Sequence, residues 1–187
     1  MSYAPGPLHD AGLDTAGLGT AAAAVRADWQ ADEEHWTAAA LEQWRHGRTL
    51  TDVARDHLHR GDTISLLWAG CSIAVTGRVL GVSDDALAVE TSGSRVDVHL
   101  APSTAIAWRV VERAERGGCR GLALGTFRAR LLELEAGDDP VDVALDGDDT
   151  LHGALQVGRD HIVVHTPGGE WVVALSAVRW VRVPAPT

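Results

Sequence analysis

One stretch occurs twice in this chain, and it limits the possible folds more than any other feature. Gly77–Thr91 reads Gly-Arg-Val-Leu-Gly-Val-Ser-Asp-Asp-Ala-Leu-Ala-Val-Glu-Thr, and Gly153–Thr166 reads Gly-Ala-Leu-Gln-Val-Gly-Arg-Asp-His-Ile-Val-Val-His-Thr. Both copies alternate apolar and polar residues on either side of an acidic turn, the pattern of two half-buried strands. The match extends outward piece by piece. Gly77 corresponds to Gly153, Asp85 to Asp160, Leu87-Ala-Val to Ile162-Val-Val, Leu100 to Leu175, and Ala105-Ile-Ala-Trp108 to Ala177-Val-Arg-Trp180. A repeat of this length, with a helical pattern before each copy, is a duplicated structural unit.

Each copy supplies five short apolar segments. In the first they centre on Ile64-Ser-Leu66, Ile73–Val82, Leu87-Ala-Val89, Val96-Asp-Val98 and Ile106–Val110, with Ala101-Pro-Ser103 breaking the sheet before the last. In the second they centre on Val141-Asp-Val143, Leu151–Val157, Ile162-Val-Val164, Trp171-Val-Val173 and Val178–Val183. Glycine inside a strand marks a sharp bend or bulge, which lets a small sheet curl. The expectation is therefore a mainly β protein with helices (α+β). It has an N-terminal amphipathic helix and two tandem five-stranded small β-barrels separated by a short helix.

The boundaries that follow are a flexible Gly/Pro/Ala-rich tail over 1–20, a helical segment over 21–61, a first barrel over 62–111, a linker and short helix over 112–139, and a second barrel over 140–184. Within 21–61, Val25, Trp29, Trp36, Ala40 and Trp44 recur on one helical face. A second helix there is capped by Thr49 or Thr51 and stopped by Gly61. In the linker region, Phe127, Leu131 and Leu134 predict the apolar side of the short helix.

These barrel-like units resemble the Sm-like class. The resemblance rests on Gly153-Ala-Leu155 with Asp160-His-Ile162, and on Gly77-Arg-Val79 with Asp85-Ala-Leu87. It implies closed, strongly bent five-stranded barrels. The Asn that helps bind a uracil base in Sm proteins has no counterpart, because Ala88 and Val163 stand nearest that place and the chain contains no Asn. The chain after residue 20 also resembles a family of small actinobacterial proteins of uncharacterised function, sometimes labelled Fis-family transcriptional regulators. The phrases that carry this are Val157-Gly-Arg-Asp-His-Ile162 and Trp171-Val-Val-Ala-Leu-Ser-Ala-Val178. No helix-turn-helix pattern accompanies them.

Charge narrows the functional classes. Among 187 residues the formal net charge is −10, and all basic charge apart from histidine comes from Arg. Such a chain has no global attraction to phosphate backbones. Only residues 113–137 run the other way, with Arg113, Arg116, Arg120, Arg128 and Arg130 against three Glu. These arginines are the candidate phosphate contacts of a nucleic-acid-associated regulator, the alternative reading. No Gly-x-Ser-x-Gly, phosphate loop or dinucleotide fingerprint is present, so no catalytic residues are assigned and an enzyme is not expected.

No cofactor or metal is expected either. His161 and His165 share a strand face and His57 and His59 lie near Asp56, but no third ligand is spaced to join either pair. The acidic turns at Asp84-Asp85, Asp138-Asp139 and Asp146-Gly-Asp-Asp149 lack the spacing of a calcium loop. Cys71 and Cys119 suit a reducing compartment. With no signal-peptide pattern and no membrane-length apolar run, the expectation is a cytoplasmic protein with no membrane partner. The primary reading is a non-enzymatic interaction or scaffold protein that binds a protein partner or forms a homo-oligomer. Its candidate surface is Trp29, Trp36 and Trp44, a face open to three uses: covering the barrels, sealing a dimer, or docking a foreign partner.

Overall fold

The structure is a computed structural model that describes residues 15–100, 106–115 and 117–185, with side chains described from residue 23 onward in the first helix. The proposed tail up to residue 14, the Pro102 break and Arg116 lie outside the described residues. The chain divides into two units, Met1–Arg48 and Thr49–Thr187.

Among the described residues the first unit holds one long helix, α1 (Thr15–His46), which starts within the stretch expected to be tail. At 1.5 Å per residue its 32 residues extend about 48 Å. Every described side chain from Ala23 to Gly47 is exposed.

The second unit opens with α2 (Leu50–Arg60). Thr49 caps it rather than Thr51. The Thr49 side chain accepts from the Asp52 N–H while the Asp52 carboxylate accepts from the Thr49 N–H, a reciprocal pair that satisfies two orphan donors, and Gly61 ends the helix. Five strands follow: β1 (Thr63–Trp68), β2 (Val75–Val82), β3 (Ala86–Glu90), β4 (Arg95–His99) and β5 (Ile106–Glu112). Then come α3 (Phe127–Gly137), capped by Thr126, and β6 (Val141–Leu145), β7 (Thr150–Val157), β8 (His161–Thr166), β9 (Gly169–Ala174), a 3-10 turn at Leu175–Ala177, and β10 (Val178–Arg182).

These strands do not form two barrels. They make one open ten-stranded antiparallel sheet in the order β5-β1-β2-β3-β4-β10-β6-β7-β8-β9. The expected pair of closed Sm-like barrels is thereby overturned. The free edge of β4 takes β10 as its neighbour, through Trp180 opposite Val98, Val181 opposite Asp97 and Arg182 opposite Val96. The edge hydrogen bonds that closure would have satisfied are satisfied by joining the two sets instead. The sheet keeps β5 and β9 as its open ends.

The duplication is nonetheless visible in the order itself, since β5-β1-β2-β3-β4 and β10-β6-β7-β8-β9 are the same sequence of roles. Two glycines show why. Gly77 faces Ile64, and a Cβ there would collide with the carbonyl of Glu90. Gly153 faces Val141, and a Cβ there would collide with the carbonyl of His165. Each bend brings backbone against backbone, which only glycine permits. At Gly153 the strand changes partner: Thr150–Gly153 pair with β6, and Ala154–Val157 pair with β8.

The matching of Trp108 with Trp180 needs correction by one residue. Trp108 lies opposite Leu66, whereas the residue opposite the equivalent Val143 is Val181. The register of β10 shifts between Val178 and Trp180, and this bulge turns Trp180 onto the other face. There it packs with Ile64, Leu66, Val96 and Val98 in the first core. The second core holds Phe127, Leu131 and Leu134 from α3 against Val141, Val143, Ile162, Val164 and Val181.

Candidate interaction surfaces

An α-helix turns through about 100° per residue, so steps of seven and eight keep Trp29, Trp36 and Trp44 within about 80° of one another. They are 75%, 74% and 56% exposed, and Val25 and Leu41 are about half exposed. Three large amphipathic rings on one face of a solvated helix form an apolar stripe of the kind that marks protein contacts. Asp28 and Asp32 lie along one flank of the stripe, Glu33 sits within it, and Glu34 and Glu42 lie on the far side of the helix. At the C-terminal end the Arg48 guanidinium lies 4.4 Å from the Trp44 ring centroid, an Arg–aromatic stack that holds this indole in place.

The five arginines proposed to contact phosphate differ in what engages them. Arg113 and Arg120 are exposed, and Arg116 lies outside the described residues. Arg128 donates from Nε to the Gly158 carbonyl. Arg130 donates to Asp97 at 2.8 Å and to Glu133 at 2.9 Å. Burial works against its charge, but the two carboxylates outweigh it and hold the guanidinium more firmly protonated. Arg130 therefore ties α3 to β4.

The acidic turns serve as internal glue. Asp85 accepts from the Phe127 N–H at the start of α3. Asp84 pairs with Arg55 at 3.0 Å. Asp146 pairs with Arg179, and Asp148 accepts from both the N–H and the hydroxyl of Ser72. Arg179, the residue at the bulge, also reaches the Cys71 sulfur and the Ala69 carbonyl. Burial raises the Cys71 thiol above its ordinary value, with Arg179 opposing, so this cysteine is held as a poor nucleophile.

Beneath α2 lies a buried polar cluster. Asp62 is fully buried and accepts from Arg60 Nε, bonds to His57 Nδ1 at 2.9 Å and accepts from the Ala114 N–H. Burial alone would raise its pKa, but these three partners outweigh burial and hold the carboxyl below the ordinary carboxylate range. Asp62 and His57 are buried while Arg60 reaches solvent, and the cluster ties α2 to the segment after β5. His161 and His165 pair with Asp160 and Glu170 respectively. Among the described residues, no group of three His, Cys, Asp or Glu side chains is arranged to hold a metal ion.

Two features escaped the sequence reading. An open groove of about 680 Å³ runs along the seam between the two strand sets, lined in part by Val75, Val96, Thr150, Trp180 and Arg182. It depends on β4 meeting β10, a long-range pairing with no local signature. The second is the outer edge of β9, where Trp171 is 52% and Val172 72% exposed. Its alternation was legible, but the face and edge it presents were not.

No protein-family model matches the chain, and no curated protein matches it. Among the described residues, no helix is long and apolar enough to cross a membrane.

Proposed function

We propose that this chain is a non-enzymatic interaction protein, with the Trp face of α1 as its docking surface and the ten-stranded sheet as its scaffold. One observation carries the reading: Trp29, Trp36 and Trp44 share one face of α1 and each is more than half exposed. Ordering three indoles on a solvated helix brings little stability unless a partner covers them. Asp28 and Asp32 beside the stripe and Glu33 within it favour a partner segment that is apolar and carries basic residues. The phrases Val157–Ile162 and Trp171–Val178 support membership of the actinobacterial family that they resemble. A cytoplasmic setting fits the two free thiols.

The test is capture of a protein partner by the full chain, compared with a variant carrying Trp29→Ala, Trp36→Ala and Trp44→Ala. The partner is retained by the wild type and lost by the variant, whose sheet signal and melting curve stay unchanged. A nucleic-acid role has less support, because Arg128 and Arg130 are engaged within the fold. Tight binding of mixed RNA or DNA that weakens steeply with salt, and disappears on Arg113→Ala with Arg120→Ala, would replace the protein-docking reading.

A further inference from the structure

The β4–β10 seam is an interface between two copies of one structural unit, and the same two kinds of edge stand open at the ends of the sheet. The correspondence can be fixed residue by residue. Leu100 N–H donates to the Asp85 carbonyl, and Leu175 N–H donates to the Asp160 carbonyl. From that anchor β9 corresponds to β4, with Val172 in the place of Asp97 and Trp171 in the place of Val96. Leu66 faces Trp108 and its equivalent Val143 faces Val181, so β5 corresponds to β10, with Arg109 in the place of Arg182. The open edges of one chain are therefore the two sides of a joint that the chain already makes internally.

We infer that β9 of one chain pairs antiparallel with β5 of a second copy, repeating the internal seam between molecules. The seam's register transfers directly: Ala107 lies opposite Val173, Trp108 opposite Val172, and Arg109 opposite Trp171. Antiparallel pairs alternate between bonded and non-bonded. Counting from the Leu175–Asp160 bond, Val173 and Trp171 bond inward to β8, so the N–H of Val172 points to the open edge.

The side chains at this joint have changed together. Inside the chain, Arg130 of α3 reaches across the seam to Asp97 of β4. Counting from the two caps, Thr126 and Thr49, the counterpart of Arg130 is Val53 on α2, and the counterpart of Asp97 is Val172. A charged pair at the internal seam is thus replaced by an apolar pair at the open ends. Val53 is only half-buried and Val172 is 72% exposed within one chain. Neither β5 nor β9 holds a Pro, and the charges and bulge that do guard them, Glu112 with the bulge at Val111 on β5 and Glu170 on β9, lie outside the three paired positions, where Arg109 is the one charge. The contact is head to tail, so repeated addition closes into a ring or continues as a filament, according to the rotation at each joint.

The experiment is light scattering on the full chain over a range of concentrations, with two edge variants. Val172→Pro removes the outward N–H without touching the bonds to β8. Ala107→Lys with Val111→Lys places charge on exposed positions of β5. The wild type forms species above monomer mass, and each variant alone runs as a monomer with an unchanged circular dichroism spectrum. Mixing the two restores a one-to-one dimer, because one retains β5 and the other β9. A monomeric wild type overturns the inference, as does assembly that survives both variants. A mixture that stays monomeric also overturns it, since a like-to-like β9 contact would not be rescued by mixing. The α1 variant used above leaves this assembly intact, so failure of the docking reading and failure of this one are separable.

Discussion

The two five-stranded sets share a strand order and a bend but fill the space under their helices in opposite ways. Under α3 the filling is apolar, with Phe127, Leu131 and Leu134 all buried. Under α2 the helix contributes Ala54, Leu58 and a buried His57, and Asp62 completes a polar cluster with His57 and Arg60. The frame is set by backbone demands that both copies must meet: a capped helix, a glycine at the bend, and an acidic turn. The filling is free to differ, because volume and satisfied hydrogen bonds can come from different side chains.

This contrast can be broken most strongly from the apolar side. Phe127 is 1% exposed and stacks on His99 with ring centroids 4.5 Å apart. Phe127→Ala is expected to cost about 4 kcal/mol in a denaturant titration, more than Leu58→Ala, the truncation of the largest buried apolar side chain of α2. A loss below about 1 kcal/mol would mean that the second core does not depend on α3.

The shared frame is tested by Gly77→Ala and Gly153→Ala. Each new Cβ meets a facing carbonyl, so each is expected to cost about 3 kcal/mol, and the two losses agree with each other to within about 1 kcal/mol. If one substitution is tolerated and the other is not, the two bends are not the same device.

The smallest effect concerns the polar filling. Asp62 has a folded pKa below its unfolded value, so its ionised form is favoured by folding. Its contribution is fully present above the ordinary carboxylate value of about 3.9 and is lost as pH falls from there through the lowered folded value. Asp62→Asn is expected to cost about 2 kcal/mol at neutral pH and to flatten the acid limb of the stability curve. Asp139, which follows α3 as Asp62 follows α2, is exposed, and Asp139→Asn should stay within about 0.5 kcal/mol. An acid limb unchanged by Asp62→Asn would remove the polar cluster as the distinguishing feature.

The sequence by itself determined the elements and the repeat. Alternation located the strands, Thr49 or Thr51 and Gly61 mark the ends of α2, and Gly77 and Gly153 announced bends, because each of these is a local demand of the backbone written in one or a few residues. The Trp stripe was legible for the same reason, since helical spacing alone groups Trp29, Trp36 and Trp44. Only the tertiary structure decided how the sets meet. Whether β4 turns back on its own set or takes β10 depends on hydrogen bonds between residues about eighty positions apart, and alternation reads the same in either case. The bulge at Arg179 is invisible for a related reason: one extra residue in a strand changes the face of Trp180 without changing the pattern around it. The engagement of Arg130 with Asp97, which took that arginine from a surface patch into the seam, followed from the same pairing.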